Sequence, residues 1–74
     1  MTLYEFNALD EMEQAEAVWS GKHINTRDDG IHTILLYKIA DFYVEAYYHK
    51  EYNVLRKFEA LYENELMFYT DRNN

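Results

Sequence analysis

Ile31-His32-Thr33-Ile34-Leu35-Leu36-Tyr37-Lys38-Ile39 and Phe42-Tyr43-Val44-Glu45-Ala46-Tyr47-Tyr48-His49 are two β-prone runs separated by Ala40-Asp41, and their pairing decides the fold. Placing Ala40-Asp41 at a tight turn sets Ile39 opposite Phe42 and, counting outward, His32 opposite His49. Thr33, Leu35, Tyr37 and Ile39 then share a face with Phe42, Val44, Ala46 and Tyr48. All but Thr33 are apolar or aromatic, so this face is expected to be the core beneath a helix. The opposite face holds His32, Ile34, Leu36 and Lys38 with Tyr43, Glu45, Tyr47 and His49, and is mixed in character.

Upstream of this hairpin, Asp28-Asp29-Gly30 is a turn signal, and His23 to Arg27 reads as a short strand before it. Before Gly21 the period becomes helical. From about Leu9 to Trp19, the residues Ala8, Met12, Ala15 and Trp19 form one stripe flanked by Leu9 and Val18, with Asp10, Glu13, Gln14 and Ala17 pointing away. Asn7 is the expected cap with Asp10 at the third helical position, and Gly21 is expected to close the helix in a left-handed conformation.

Downstream, Lys50-Glu51-Tyr52-Asn53 forms a turn and a third strand follows from Val54 to about Ala60. A four-residue loop would set Leu55 opposite Tyr48. An odd-length loop would put Val54 and Phe58 on the core face and align Glu45 with Lys57. Leu61, Tyr62, Leu66 and Tyr69 have the spacing of a short helix, while Leu66 to Thr70 would serve equally as an edge strand; residues 71–74 are expected to fray. The expected fold is thus α+β, one domain over residues 1–74. An amino-terminal amphipathic helix packs on a three- or four-stranded antiparallel meander, with a short carboxy-terminal helix or edge strand.

The stretch Leu36-Tyr37-Lys38-Ile39-Ala40-Asp41-Phe42-Tyr43-Val44-Glu45-Ala46-Tyr47-Tyr48, followed by Asn53 and Phe58, resembles a family of small uncharacterised bacterial proteins. Members share an amino-terminal helix ending near a Trp and a Gly, as Trp19 and Gly21 do here, and then an antiparallel meander. The resemblance implies the architecture of residues 9–60 and no activity.

Composition excludes several classes of function. The 74 residues lack Cys and Pro, which removes disulfides, thiolate metal sites, cysteine nucleophiles and proline-rich ligand segments together. A net charge of −7 with no Lys/Arg cluster argues against direct nucleic-acid binding. No segment has signal-peptide or membrane-span character, so cytoplasmic residence is the expectation, without membrane attachment. Residues 1–20 contain Glu5, Asp10, Glu11, Glu13 and Glu16 and no base, so most of the net charge sits there. With only Gly21 and Gly30 there is no phosphate-binding loop, and Ser20, the one serine, lies in a helix-ending Ser-Gly pair rather than a nucleophile elbow.

Two constellations remain. His32 and His49 face one another and could offer two imidazoles to a metal, but a site needs further ligands: His23 depends on how the first strand pairs, and Glu45 is too far along its strand. Asp28-Asp29 is better explained by turn chemistry than by acid/base work. The eight Tyr, four Phe and one Trp are the larger signal. Trp19, Tyr37, Phe42, Tyr48 and Phe58 are expected to fill the core. Tyr43, Tyr47 and Tyr52, with Ile34 and Leu36, are harder to place there, and the face of Ile34, Leu36, Tyr43 and Tyr47, flanked by His32 and His49, is the candidate interaction face. A carboxy-terminal helix folded over that face would remove the argument.

The expected function is a non-enzymatic protein-interaction module needing no cofactor, with a protein partner or a second copy of the chain bound through that face. An acidic inhibitor or nucleic-acid mimic acting on a basic partner is the alternative, and a metal-responsive protein using His32 and His49 is a third.

Overall fold

The computed structural model describes residues 1–66 and Tyr69. Two helices, α1 (Leu3–Ala8) and α2 (Glu11–Trp19), precede four strands: β1 (Lys22–Asp28), β2 (His32–Ile39), β3 (Phe42–His49) and β4 (Val54–Leu61). The strands form one antiparallel sheet in sequence order, a meander with β1 and β4 at its edges. A 3-10 turn, Glu63–Glu65, follows. The choice between helix and strand for Leu66 to Thr70, and the fraying expected of residues 71–74, fall outside the described residues except at Leu66 and Tyr69. No helix among the described residues is long and apolar enough to cross a membrane.

The β2–β3 register is the one expected, from Ile39 opposite Phe42 to His32 opposite His49. At β4 the two alternative registers are reconciled by a bulge. Leu55 pairs with Tyr48, yet Lys57 pairs with Tyr47 and Phe58 with Ala46, leaving Arg56 as the extra residue. The bulge inverts the strand's parity, so Leu55 and Phe58 both reach the helix side. Glu45 consequently faces Glu59, not Lys57.

The amino-terminal region differs from the expectation of one helix capped by Asn7. Thr2 and Glu5 exchange hydrogen bonds with each other's backbone N–H, a capping box that starts α1. Asp10 and Glu13 repeat the device for α2. The chain therefore breaks at Leu9-Asp10, and α2 turns relative to the expected stripe. Met12 is exposed, whereas Val18 is fully buried and Ala17, expected outside, packs on the core.

Gly21 has a different role from the left-handed one anticipated. Its φ is not positive; a Cβ there would lie 2.7 Å from the Lys38 carbonyl oxygen and 3.1 Å from Ile39 Cγ1. Only glycine lets the end of α2 approach β2 this closely. That approach sets both helices over the β2–β3 turn end of the sheet. Phe6 from α1 lies against Phe42 and Phe58 at 5.9 and 6.2 Å between ring centres, and together with Val18 and Val44 it forms the core. Burial of each such side chain contributes roughly 1.5–3 kcal/mol.

Candidate functional site

The helix side of the sheet holds the core as expected, with Phe42, Val44 and Ala46 fully buried, but the opposite face is covered as well. The face carrying Ile34, Leu36, Tyr43 and Tyr47 is not an open apolar surface: Ile34 is 0% and Leu36 1% exposed. Arg27, Ile34 and Tyr47 form one cross-strand row, and Arg27 Nη2 donates to the Tyr47 hydroxyl at 3.3 Å above Ile34. Beside Leu36, the carboxylate of Glu45, itself 6% exposed, gathers three donors. Arg27 Nε and the Tyr69 hydroxyl reach Oε2 at 3.1 and 2.8 Å, and the Tyr47 hydroxyl reaches Oε1 at 3.0 Å. Tyr69, supplied from beyond the sheet, closes this face. Ile34 and Leu36 thus lie inside the protein and have no surface to give a partner.

Electrostatics on this face follow from burial. Burial, reinforced by the Glu45 charge, pushes the Tyr47 hydroxyl up to about 12, and the same two causes raise Tyr69. Both phenols stay protonated and donate. With both its oxygens occupied by donors, Glu45 ties β1, β3 and Tyr69 together on this face. Lys57 lies 4.7 Å from the Tyr47 ring centre, and Lys38 lies 5.8 Å from that of Tyr43.

His32 and His49 do come together, with ring centres 6.0 Å apart. Their hydrogen bonds leave no two-imidazole metal site. His32 Nδ1 lies 3.1 Å from Asp29 Oδ2; an ionised carboxylate only accepts, so this nitrogen carries the proton. His49 Nδ1 instead accepts the backbone N–H groups of Glu51 and Tyr52 at 3.2 and 3.3 Å. Its other nitrogen must then hold the proton of the neutral ring, with no lone pair left for a metal. His23 faces the helix side, 5.4 Å from the Tyr37 ring. No group of three metal-ligating side chains exists among the described residues.

Asp28 and Asp29 are turn residues. Asp29 accepts the N–H groups of Ile31 and His32, which hold its carboxyl down at about 2. Asp28 accepts the Gly30 N–H at 2.6 Å and Lys50 Nζ at 2.6 Å. Ser20 ends α2 with its N–H on the Glu16 carbonyl.

The open apolar surface lies on the helix side, at the end where the β1–β2 and β3–β4 turns meet. There Lys50 N–H donates to the Ile31 carbonyl at 2.9 Å and ties the two turns together. The helices stop short of this end. Trp19 marks their limit, ringed by Tyr37, Tyr48 and Phe58 at 5.5, 6.4 and 6.1 Å, and it is 45% exposed rather than a core residue. Beyond it runs a groove of about 410 Å³ floored by Thr33, Leu35 and Tyr48 and walled by His49, Lys50 and Asn53. Exposed Ile31, Tyr52 and Val54 stand at this same end, but Val54 pairs with His49, and the Tyr52 ring lies 4.7 Å from that of His49, whose ring meets His32 on the other face of the sheet. Burial, with Tyr37 nearby, raises the Tyr48 hydroxyl, so the floor is uncharged.

The alternation of β2 and β3 does place Leu35 and Tyr48 on the helix side, but nothing in it shows that a nine-residue α2 is too short to cover them. Arg27 and Tyr69 also escape a reading of local pattern; the parity that sets Arg27 beside Ile34 was the available signal. Comparison with protein-family models, with curated proteins and with solved structures finds no match to this chain.

Proposed function

We propose that the protein is a non-enzymatic protein-interaction module whose docking surface is the groove between Trp19 and the two hairpin turns. One observation carries this reading: a groove floored by Leu35 and Tyr48 lies beyond the cover of α2, at the same end of the molecule as exposed Ile31. Exposed aromatic and aliphatic groups around a hollow are the usual anatomy of a protein contact. The open, shallow shape suits a partner's side chains better than an enclosed substrate.

Acidic mimicry draws less support. Glu5, Asp10 and Glu13 are engaged in the two capping boxes, which accounts for three of the five amino-terminal acids by helix chemistry.

Site-specific photo-crosslinking tests the reading. A benzophenone amino acid is placed at Tyr52, 68% exposed in the turn whose Lys50 and Asn53 line the groove, or at Tyr4, 75% exposed on α1 at the opposite end. Adducts to protein from position 52 and none from position 4 are expected. Equal labelling from both positions, or none from position 52, would refute it.

A further inference from the structure

We infer that the sheet face turned away from the helices carries a docking site for an acidic segment of a partner protein, centred on Lys22 and Lys38. The site is separate from the groove and does not depend on it. Its basis is the register of the strands. Lys22 pairs with Lys38, Lys38 with Tyr43 and Tyr43 with Leu61, so a single row crosses all four strands on this face. Two like charges directly opposite one another weaken a strand pair. Nothing within the sheet offsets this one. The ion pairs among the described residues join Arg27 to Glu45, His32 to Asp29, Lys50 to Asp28 and Lys57 to Glu59, and leave both Lys22 and Lys38 without a carboxylate. Lys38 Nζ lies instead 5.8 Å from the centre of the Tyr43 ring. The acids nearest in sequence are Glu16 on α2 and Asp41 in the β2–β3 turn, and neither forms an ion pair with either lysine.

Charge is sorted between the two sides of the sheet. On this face the register sets Lys22, Arg27, Lys38 and Lys57 against Glu45 and Glu59, a positive surplus in a chain whose net charge is −7. Arg27 with Glu45 and Lys57 with Glu59 cancel within the face, so the surplus is Lys22 and Lys38, both exposed. Glu5, Asp10, Glu11, Glu13 and Glu16 belong to α1, α2 and the cap between them, on the other side.

This arrangement favours one kind of occupant. A carboxylate seated between the two ammonium groups removes their repulsion, and half-buried Tyr43 and Leu61 in the same row give the partner's chain an apolar contact beside it. Nucleic acid matches the row poorly. A duplex presents one negative charge about every 1.7 Å, and two free cations offset little of that in a protein that is itself strongly negative.

The intact, isotope-labelled chain is titrated with an octaglutamate peptide in about 20 mM salt, and the backbone amide shifts are followed. Saturable binding with a Kd below about 1 mM is expected, with the largest shifts at Lys22, Lys38 and Tyr43 and with binding abolished by about 0.5 M salt. Lys22→Gln and Lys38→Gln should each weaken binding at least about threefold, whereas Lys38→Arg should keep it. Arg56→Gln makes the same change of charge outside the row and should leave the Kd unaltered. Without peptide, the two glutamine variants should melt no lower than the native chain, because each removes a repulsion; lower melting of both would make the pair part of the fold and overturn the inference. Absence of binding at about 1 mM peptide, shifts confined to other residues, or a Kd indifferent to both glutamine variants would overturn it as well. Octauridylate bound as tightly as the peptide would overturn it in favour of nucleic acid.

Discussion

Ala40 occupies the tight β2–β3 turn with φ 55°, a left-handed conformation in which a Cβ crowds the following carbonyl. Asn53 carries the same φ in the β3–β4 turn, where its short polar side chain makes that conformation ordinary, and Gly30, at φ 95°, has no Cβ to crowd. Ala40 alone is the mismatch of residue type and conformation. Replacing Ala40 with Gly relieves the strain while enlarging the unfolded ensemble, and the first effect is the larger. Urea unfolding of Ala40→Gly should show a gain of about 1 kcal/mol with the slope unchanged. A loss would mean that the turn tolerates Ala without strain. Which residues occupy the turn was readable from the two β-prone runs around it. The handedness at position 40 was not, because it follows from how the right-handed twist of β2 and β3 must be joined.

At the level of elements, one side of the sheet depends on helices and the other on a polar roof. Phe6 and Val18 are carried to the sheet by α1 and α2, whereas Ile34 and Leu36 are covered by side chains bonded to Glu45. Truncating Glu45 takes the carboxylate away from Arg27, whose side chain is 22% exposed, and removes the acceptor that Tyr47 and Tyr69 share. Glu45→Ala should therefore cost about 3 kcal/mol, toward the low end for a buried pair because Arg27 keeps some access to water. Glu45→Gln should cost less, since an amide oxygen still accepts. Chemical denaturation of both variants provides the measurement, and equal losses would show that packing, not hydrogen bonding, is what Glu45 contributes. The pairing of β2 with β3 was legible as alternation. The β4 bulge was not, because both simple registers satisfied part of the pattern, and only a core that needs Leu55 and Phe58 together on the helix side selects the irregular one.

Across the whole molecule, stability is bounded by titration at two separate places. The Tyr47 hydroxyl stands at about 12 against an ordinary 10, so the folded state holds this proton more tightly than the unfolded chain does. Its contribution is intact below pH 10 and is lost as pH rises from 10 toward 12; Tyr69 and Tyr48 shift in the same direction. Asp29 stands at about 2 against 3.8, so its contribution is present above pH 3.8 and is lost as pH falls toward 2. The stability profile should therefore decline on both limbs. Tyr47→Phe is expected to flatten the alkaline limb and Asp29→Asn the acid one, as read from melting temperature against pH. An alkaline limb unchanged in Tyr47→Phe would place its origin elsewhere.

Seen together, the readable and unreadable parts of this protein divide along a physical line. Alternating polarity, turn residues and β propensity act over a few neighbours, and they were enough for a helical amino-terminal region, an antiparallel meander and the face-sharing residues of β2 and β3. The Thr2–Glu5 capping box was equally local and equally visible, so α1 could have been recognised. Which face stays open is a matter of how far α2 extends over the sheet, where Gly21 lets it touch β2, and whether Tyr69 reaches Glu45 from 24 positions away. Those are distances between remote parts of the chain, set by packing. They moved the candidate surface from the Ile34–Tyr47 face to the groove beyond Trp19.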